Sequence, residues 1–419
     1  MSAQNKFRAA TALLFSLLLI APAGKAQSAS ESASRPKIRA ITAFVRLDRA
    51  RYKDQIQDAL KFLRDAKAAY EKSGYEVQTI RITTQPFPEY TRDLSEEQTL
   101  AFFREYDALA IKEGFDASIG PAMMKDTDDP REAELLGKIL ANAKTLEGSI
   151  FIGGEDGIHW KSIQSAAGVM KYLEANTLHS QGNFNFTTSS FVPDGTPFYP
   201  ASYLASEGKR FAIGLQSANV VADALASTKS PELAEEHLKA SLTTYAQQVE
   251  KTAKEISQSS GWTYGGIDLS PAGLKDVSIG RAIENFLGAP MGSSGTLTTT
   301  ALITRALKSI PVTQAGYSGL MLPVLEDSVL SQRWSEGRLS LDEMLSYSAV
   351  CGTGLDVIPL PGDVSNDQLA KILGDVTSLS VKWHKPLSAR LLPVAGKKAG
   401  DQTEFDDPFL VNAKIQPLP

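Results

Sequence analysis

A chain of 419 residues with one cysteine has no intrachain disulfide, so its fold rests on its core alone. Histidine is scarce too. His159, His179, His237 and His384 share no zinc-like spacing with one another or with Cys351, which argues against zinc hydrolysis. No apolar run reaches the roughly 20 residues that cross a bilayer, so no membrane insertion is expected. Two common catalytic signatures are also missing. Gly316-Tyr-Ser318-Gly319 has the wrong spacing for a serine-hydrolase elbow, and Gly352-Thr-Gly354 lacks the third glycine of a dinucleotide fingerprint.

What is present begins with a leader. Lys6 and Arg8 precede an apolar run over residues 9–21, and Gly24-Lys25-Ala26 offers a small-residue cleavage site, so residues 1–26 read as a secretory signal peptide. No cysteine follows the cleavage site to carry a lipid, and no twin-arginine pair precedes it. The expected location is periplasmic or secreted. Removing the three cations Lys6, Arg8 and Lys25, with no acids, takes the formal charge from -5 to -8. Such a surface repels nucleic acid and anionic membranes. A small-molecule ligand is the expected partner, and a homo-oligomer stays open.

Residues 27–36, rich in Ser and Ala, read as a flexible lead, and 37–419 as one domain. Residues 37–47 are β-branched and apolar, as in a buried strand, and 52–72 carry helical spacing through Ile56, Leu60, Leu63 and Ala66. Strands near 75–83, 115–119 and 148–152 alternate with helices near 95–112 and 131–143. That alternation predicts βαβ units and a mainly parallel sheet. Residues 183–192 alternate in polarity and 211–216 form a further strand. A long amphipathic helix over 231–259 is expected to turn Leu233, Leu238, Leu242 and Val249 inward. Helices follow near 277–286, 296–307, 341–349 and 368–380, with strands at 320–324, 355–360 and 391–394.

Acids and glycines gather where strands end: Glu155 and Asp156, Asp268, Glu326 and Asp327, and Asp363. In parallel α/β folds the carboxyl ends of strands line the ligand crevice, so these loops are expected to converge as acid/base groups or as oxygen ligands for a divalent metal. Helix capping is the competing duty. Gly288-Ala-Pro-Met-Gly292-Ser-Ser-Gly295-Thr296-Leu-Thr298 runs into a helix whose start suits a phosphate or carboxylate, or simply packs closely on a strand. Lys397 and Lys398 in a glycine-rich turn offer cations to an anion or stand in solvent. Arg390 falls on a buried strand, where it requires an acidic partner. Cys351, between glycines and aspartates, is either a reactive thiol or a small core residue.

From Lys37 onward the chain resembles the uncharacterised prokaryotic family catalogued as domain of unknown function number seven hundred and eleven. The likeness is carried by Asn183-Phe-Asn-Phe, Pro193-Asp-Gly-Thr-Pro-Phe-Tyr-Pro-Ala-Ser202, Gly265-Gly-Ile-Asp-Leu-Ser270, Gly295-Thr-Leu-Thr-Thr-Thr300, Leu325-Glu-Asp327, the cysteine segment and Pro393-Val-Ala-Gly-Lys-Lys-Ala-Gly-Asp401. The resemblance implies a closed ten-stranded α/β barrel of the pyruvate formate-lyase-like type with an internal loop, and makes the Cys351 loop the candidate for it. Glycyl-radical chemistry does not follow: the Arg-Val-x-Gly-Tyr type segment of those enzymes is absent, and Gln314-Ala-Gly316-Tyr317 lies far upstream without the arginine.

The leading functional reading is an enzyme acting on a small polar or anionic molecule. Cys351, Asp268, Glu326, Asp327 and Asp363 would serve catalysis or metal binding, and Gly295, Thr296, Thr298, Lys397 and Lys398 would hold the anion. The alternative is a periplasmic binding protein without turnover, and a third is an assembly role in the envelope.

Overall fold

The computed structural model describes residues 35–418. The signal peptide read over residues 1–26, and residues 27–34 of the lead, lie outside the described residues. Ten strands form one sheet in the order β8-β7-β1-β2-β3-β4-β6-β10-β9, with β5 paired to the end of β4. They are β1 (Lys37–Val45), β2 (Val77–Thr84), β3 (Asp116–Pro121), β4 (Leu146–Gly154), β5 (Gly157–Ile158), β6 (Phe186–Ser190), β7 (Arg210–Gln216), β8 (Thr263–Asp268), β9 (Gly354–Pro361) and β10 (Leu387–Val394). β1, β2, β3, β4 and β6 run parallel. β7 with β8, and β10 with β9, form parallel pairs that join this central group antiparallel. The expected α/β fold with a mostly parallel sheet is present.

Strand periodicity gives the sheet two unlike faces. Ile38, Ile41, Ala43, Ile82, Ala117, Ile119, Leu146, Ile150 and Ile152 are buried in the main core, with the helices. The helix Tyr52–Lys72 contributes Ile56, Leu60, Leu63 and Ala66 to that core, as its spacing predicts. The helix Pro231–Ser260 starts at a Ser230 cap and ends at Gly261. It buries Ala234, Leu238, Leu242 and Val249, but Leu233 is exposed. Leu238 stands five positions beyond Leu233, which at about 100° per residue puts the two about 140° apart around the helix; Ala234, four positions before Leu238, takes the inner place. Three helices, Trp160–Asn176, Ala218–Ala226 and Ser328–Ser335, stand beyond those expected from the sequence. Residues 320–324 form no strand, only a bridge from Pro323 to Asp356.

The other face is polar. A segment over residues 192–204 covers the carboxyl halves of the central strands there. Thr42 Oγ1 donates to Pro197 O at 3.3 Å, Thr83 Oγ1 pairs with Ser202 Oγ at 2.7 Å, and Ser118 Oγ donates to Ser202 O at 2.7 Å. Phe151, Val192, Phe198, Ala201, Tyr203, Ala272, Tyr317 and Met321 form a second apolar cluster on this side. The two edge strands both meet the stretch 313–325. Ile267 of β8 exchanges backbone hydrogen bonds with Thr313 and Ala315, and Val324 N donates to Asp356 O of β9. Both contacts are parallel in sense.

Candidate functional site

On the polar face, where the segment 192–204 leaves the amino halves of the strands uncovered, lies a cavity of about 320 Å3. Arg39 of β1, Arg81 of β2, Glu147 of β4, Asp356 of β9 and Arg390 of β10 face it, with Glu326. The site is expected at the carboxyl ends; this cavity lies toward the amino halves of the strands. The inserted segment has taken the carboxyl end, so the free volume sits at the other.

Local backbone irregularities aim two of these charges. Between β1 and β7 the register gains a residue on β1, and that residue is Arg39. Between β10 and β9 the extra residue is on β9, so Asp356 and Val357 together oppose Arg390. Val357, buried and β-branched, stands at a φ of 53°, a conformation such residues avoid. Bulges of this kind re-aim side chains at the cost of ladder pairing.

The charges form a chain of ion pairs. Arg390 donates from Nε to Asp356 at 2.9 Å and from Nη2 to Glu326 at 2.6 Å, while Arg39 Nη2 reaches the other Glu326 oxygen at 3.1 Å. Each guanidinium also lies over an aromatic ring: Arg81 over Tyr199 at 4.6 Å, Arg390 over Phe184 at 4.7 Å and Arg39 over Phe198 at 5.9 Å. Two nitrogens remain buried without a hydrogen-bond partner, Arg39 Nη1 and Arg81 Nε. The nearest acid to the latter, Asp116, is 3.9 Å away.

Burial shapes the titration of these groups. It depresses Arg39, helped by the neighbouring Arg81 and Arg390 and opposed by Glu326. Burial works against the Arg390 cation as well, but Asp356 and Glu326 outweigh it and hold the guanidinium above the ordinary arginine value. Asp356 is raised by burial against the pull of Arg390. Glu147 makes no such close pair. Burial pushes its carboxyl up to about 8, with Arg81 opposing.

The profile of the family described as Uncharacterised ACR (DUF711) matches residues 32–406. The chain belongs to this family. A UPF0210 protein of Pyrobaculum aerophilum is 31% identical over 367 residues, covering 83% of this chain and 80% of that protein. A UPF0210 protein of Desulforudis audaxviator is 26% identical over 349 residues, 79% of this chain and 77% of that protein.

Of the residues put forward from sequence, this DUF711 chain brings Glu326 to the cavity and distributes the others. Asp268 is fully buried beside it, accepting from Ser270 Oγ at 2.5 Å, Tyr317 N at 2.8 Å, Ser270 N at 2.9 Å and Ser318 N at 3.0 Å. Asp327 ties two helix starts together, taking Ser278 Oγ at 2.6 Å, Ile279 N at 2.7 Å and Val329 N at 2.9 Å. Burial raises both aspartates, against those hydrogen bonds. Asp363 is exposed on the turn after β9. Gly295, with a φ of 99°, caps the helix Thr296–Lys308; Thr296 is buried and Thr298 exposed, and none of the three faces the cavity. Lys397 pairs with Glu404 at 2.7 Å, and Lys398 is exposed. Among the described residues, no three His, Cys, Asp or Glu side chains are arranged to hold a metal ion.

Cys351 is buried in the main core, with the helices, and not in the inner apolar cluster. Its Sγ accepts weakly from Gly354 N at 3.4 Å. The inserted segment on the polar face is 192–204, not the cysteine loop. Arg39, Arg81 and Glu147 escaped sequence reading, yet each left a trace: a charge flanked in its strand by uncharged residues, Ile38 and Ala40, Ile80 and Ile82, and Leu146 and Gly148. The rings beneath the arginines, Phe184, Phe198 and Tyr199, lie in the two motifs Asn183-Phe-Asn-Phe and Pro193 to Ser202.

Proposed function

We propose that this chain is an enzyme that binds a small anionic molecule in the cavity and exchanges a proton with it through Glu147. One observation carries the reading: Arg39 Nη1 and Arg81 Nε are buried in the cavity wall with no hydrogen-bond partner. An unpaired buried donor on a charged group costs free energy that a ligand oxyanion recovers. Beside them Glu147, raised to about 8, has the proton affinity that suits acid/base work near neutral pH. Glu326 and Asp356 orient the arginines. Glu326 and Asp356 hold Arg39 and Arg390 in fixed ion pairs, an arrangement suited to a preorganised receptor.

The competing role is binding without turnover, favoured by the burial of the one thiol, Cys351, in the main core rather than in the cavity wall. Cys351 stays outside the proposal, and no step runs through a metal. Thermal-shift screening of small carboxylates and phosphates, followed by deuterium incorporation into the bound anions in D2O, separates the roles. An enzyme gives binding and exchange in the native protein, and binding without exchange in Glu147→Gln. A binding protein gives no exchange in either. Equal anion binding by Arg81→Gln and the native protein overturns both.

We also read the sheet as the wall of a closed barrel, as the resemblance to the pyruvate formate-lyase-like superfamily implies. The stretch 313–325, bonded in parallel sense to β8 and to β9, would complete a second group of five strands facing the central parallel five. Export to a periplasm is likewise our reading, resting on residues 6–26 of the sequence.

A further inference from the structure

The cavity wall carries a second, uncharged group of polar atoms. Tyr317 OH and Ser388 Oγ form a hydrogen bond inside it, and Ser388 Oγ lies 3.5 Å from Ser189 Oγ. Ser388 N donates to Thr353 O at 2.6 Å, which sets Thr353 directly beside this pair. Thr353 is only 6% exposed and faces the cavity, yet its Oγ1 has no hydrogen-bond partner. A threonine hydroxyl offers one donor and two acceptor sites. Leaving all of them unused in a buried place is costly unless something else fills them.

The backbone around Tyr317 is held with unusual firmness. Asp268 accepts from the amides of Tyr317 and Ser318. Gly316 has a φ of 61°, and a Cβ there would stand 2.0 Å from Asp268 Oδ2. Ser318, though not glycine, has a φ of 43°. The turn is strained and clamped, and its outcome is a phenol delivered to the cavity. Strain of this kind is kept where a side chain must be aimed. Asp268 is thus a positioning residue for Tyr317.

We propose that the ligand of this cavity is a small hydroxy or oxo acid: besides the anionic group taken by Arg39 and Arg81, it carries an uncharged hydroxyl or carbonyl oxygen read by Thr353 and the Tyr317–Ser388 pair. This rests on the reading of the cavity as an anion site. Charge and hydroxyls divide the wall between them, the guanidinium nitrogens suiting an oxyanion and Thr353, able to donate and to accept, suiting either oxygen. A ligand lacking the second oxygen leaves Thr353 buried and unpaired, and the site discriminates against it on that account.

Matched probes test this by calorimetry: propionate against lactate and pyruvate, succinate against malate and oxaloacetate, and propyl phosphate against glycerol 3-phosphate. The oxygenated member is expected to bind about tenfold more tightly, the worth of one neutral hydrogen bond. Thr353→Val is expected to abolish that preference while Thr353→Ser keeps it. Tyr317→Phe serves as the second variant should Thr353→Val fail to fold, and is expected to reduce the preference. Arg81→Gln is expected to weaken both members of every pair alike. The carboxylate and phosphate series report which oxyanion the arginines take. Equal affinity within every pair that binds overturns the inference and leaves the anion site standing. If no probe of either series binds, the anion reading falls and this one with it.

Discussion

Glu326 and Asp327 are neighbours in the chain, both acidic and both buried, yet they belong to different regions of the molecule. Glu326 meets two guanidinium groups at the cavity wall, while Asp327 is surrounded by backbone amides and a serine hydroxyl. The difference lies in what completes each carboxylate. Amides at helix starts are fixed in place and leave Asp327 nothing to offer a ligand. Of the two arginines around Glu326, Arg39 has a nitrogen to spare. Burial of an acid is therefore no sign of a site until its partners are counted.

The largest effect is expected from breaking the cavity wall. Arg390→Met leaves Glu326 and Asp356 buried with Arg39 as the remaining close cation, and removal of one member of a buried ion pair costs about 3–5 kcal/mol. Urea unfolding measures it. Adding Asp356→Asn to the same chain is expected to restore much of the loss, because that uncompensated carboxylate goes with its partner while Glu326 keeps Arg39. No recovery in the double variant would mean that Arg390 acts through packing on Phe184 and not through charge.

The helix junction comes next. Asp327→Ala removes the cap of the helix Ser328–Ser335 and the acceptor of the first two amides of the helix Ile279–Leu287, whose Ser278 cap remains, at a cost of roughly 2–3 kcal/mol. The comparison is sharpened by binding: the folded variant is expected to keep its affinity for any anion that the native protein holds. An affinity loss matching that of Arg81→Gln would erase the distinction between the two regions.

Glu147 gives a pH signature. Its pKa rises from an ordinary 4.5 to about 8 through burial, so the folded chain holds the proton more firmly than the unfolded one. Between those values the unfolded state ionises first, and stability is drawn away as pH rises through the window. Below it both states are protonated and the contribution is complete. Asp268, Asp327 and Asp356 are raised in the same sense, so the diagnostic is a difference. Urea midpoints of the native protein are expected to fall from pH 5 to pH 8 more steeply than those of Glu147→Gln. Parallel curves would show that Glu147 is hydrated.

What the sequence disclosed follows from range. Periodicity is local, so β1, the helix Tyr52–Lys72 and the βα alternation were legible, as was the need of Arg390 for an acid, met by Asp356 and Glu326. Arg39 and Arg81 lie 42 positions apart in the numbering and Arg390 more than 300 beyond them, and no spacing rule joins them. The bulges at Arg39 and Asp356 depend on partner strands. The largely uncovered cavity lies toward the amino halves of the strands because the segment 192–204 covers their carboxyl halves. Gly265-Gly266 concealed β8 by reading as a loop.

Cys351 tests the comparison from the core. Lying in the main core and away from the cavity, it is expected to resist thiol reagents in the native state and react on unfolding. Cys351→Ala is expected to cost roughly 1 kcal/mol through lost packing, with anion binding unchanged. Rapid native labelling would return the thiol to the list of reactive groups.

The smallest effect belongs to the charges that stand in solvent. Asp363 and Lys398 are exposed, and neither lines the cavity. Asp363→Asn and Lys398→Ala are each expected to change stability by no more than about 0.5 kcal/mol and to leave anion affinity where it was. This null result carries weight because these two residues carry the same charges as Glu326 and Arg390. If Lys398→Ala weakened anion binding as strongly as Arg81→Gln, recognition would depend on the long-range field of the chain, and that dependence would fade with added salt. Indifference to Lys398 at low and high salt, together with sensitivity to Arg81 at both, assigns recognition to the buried guanidinium nitrogens.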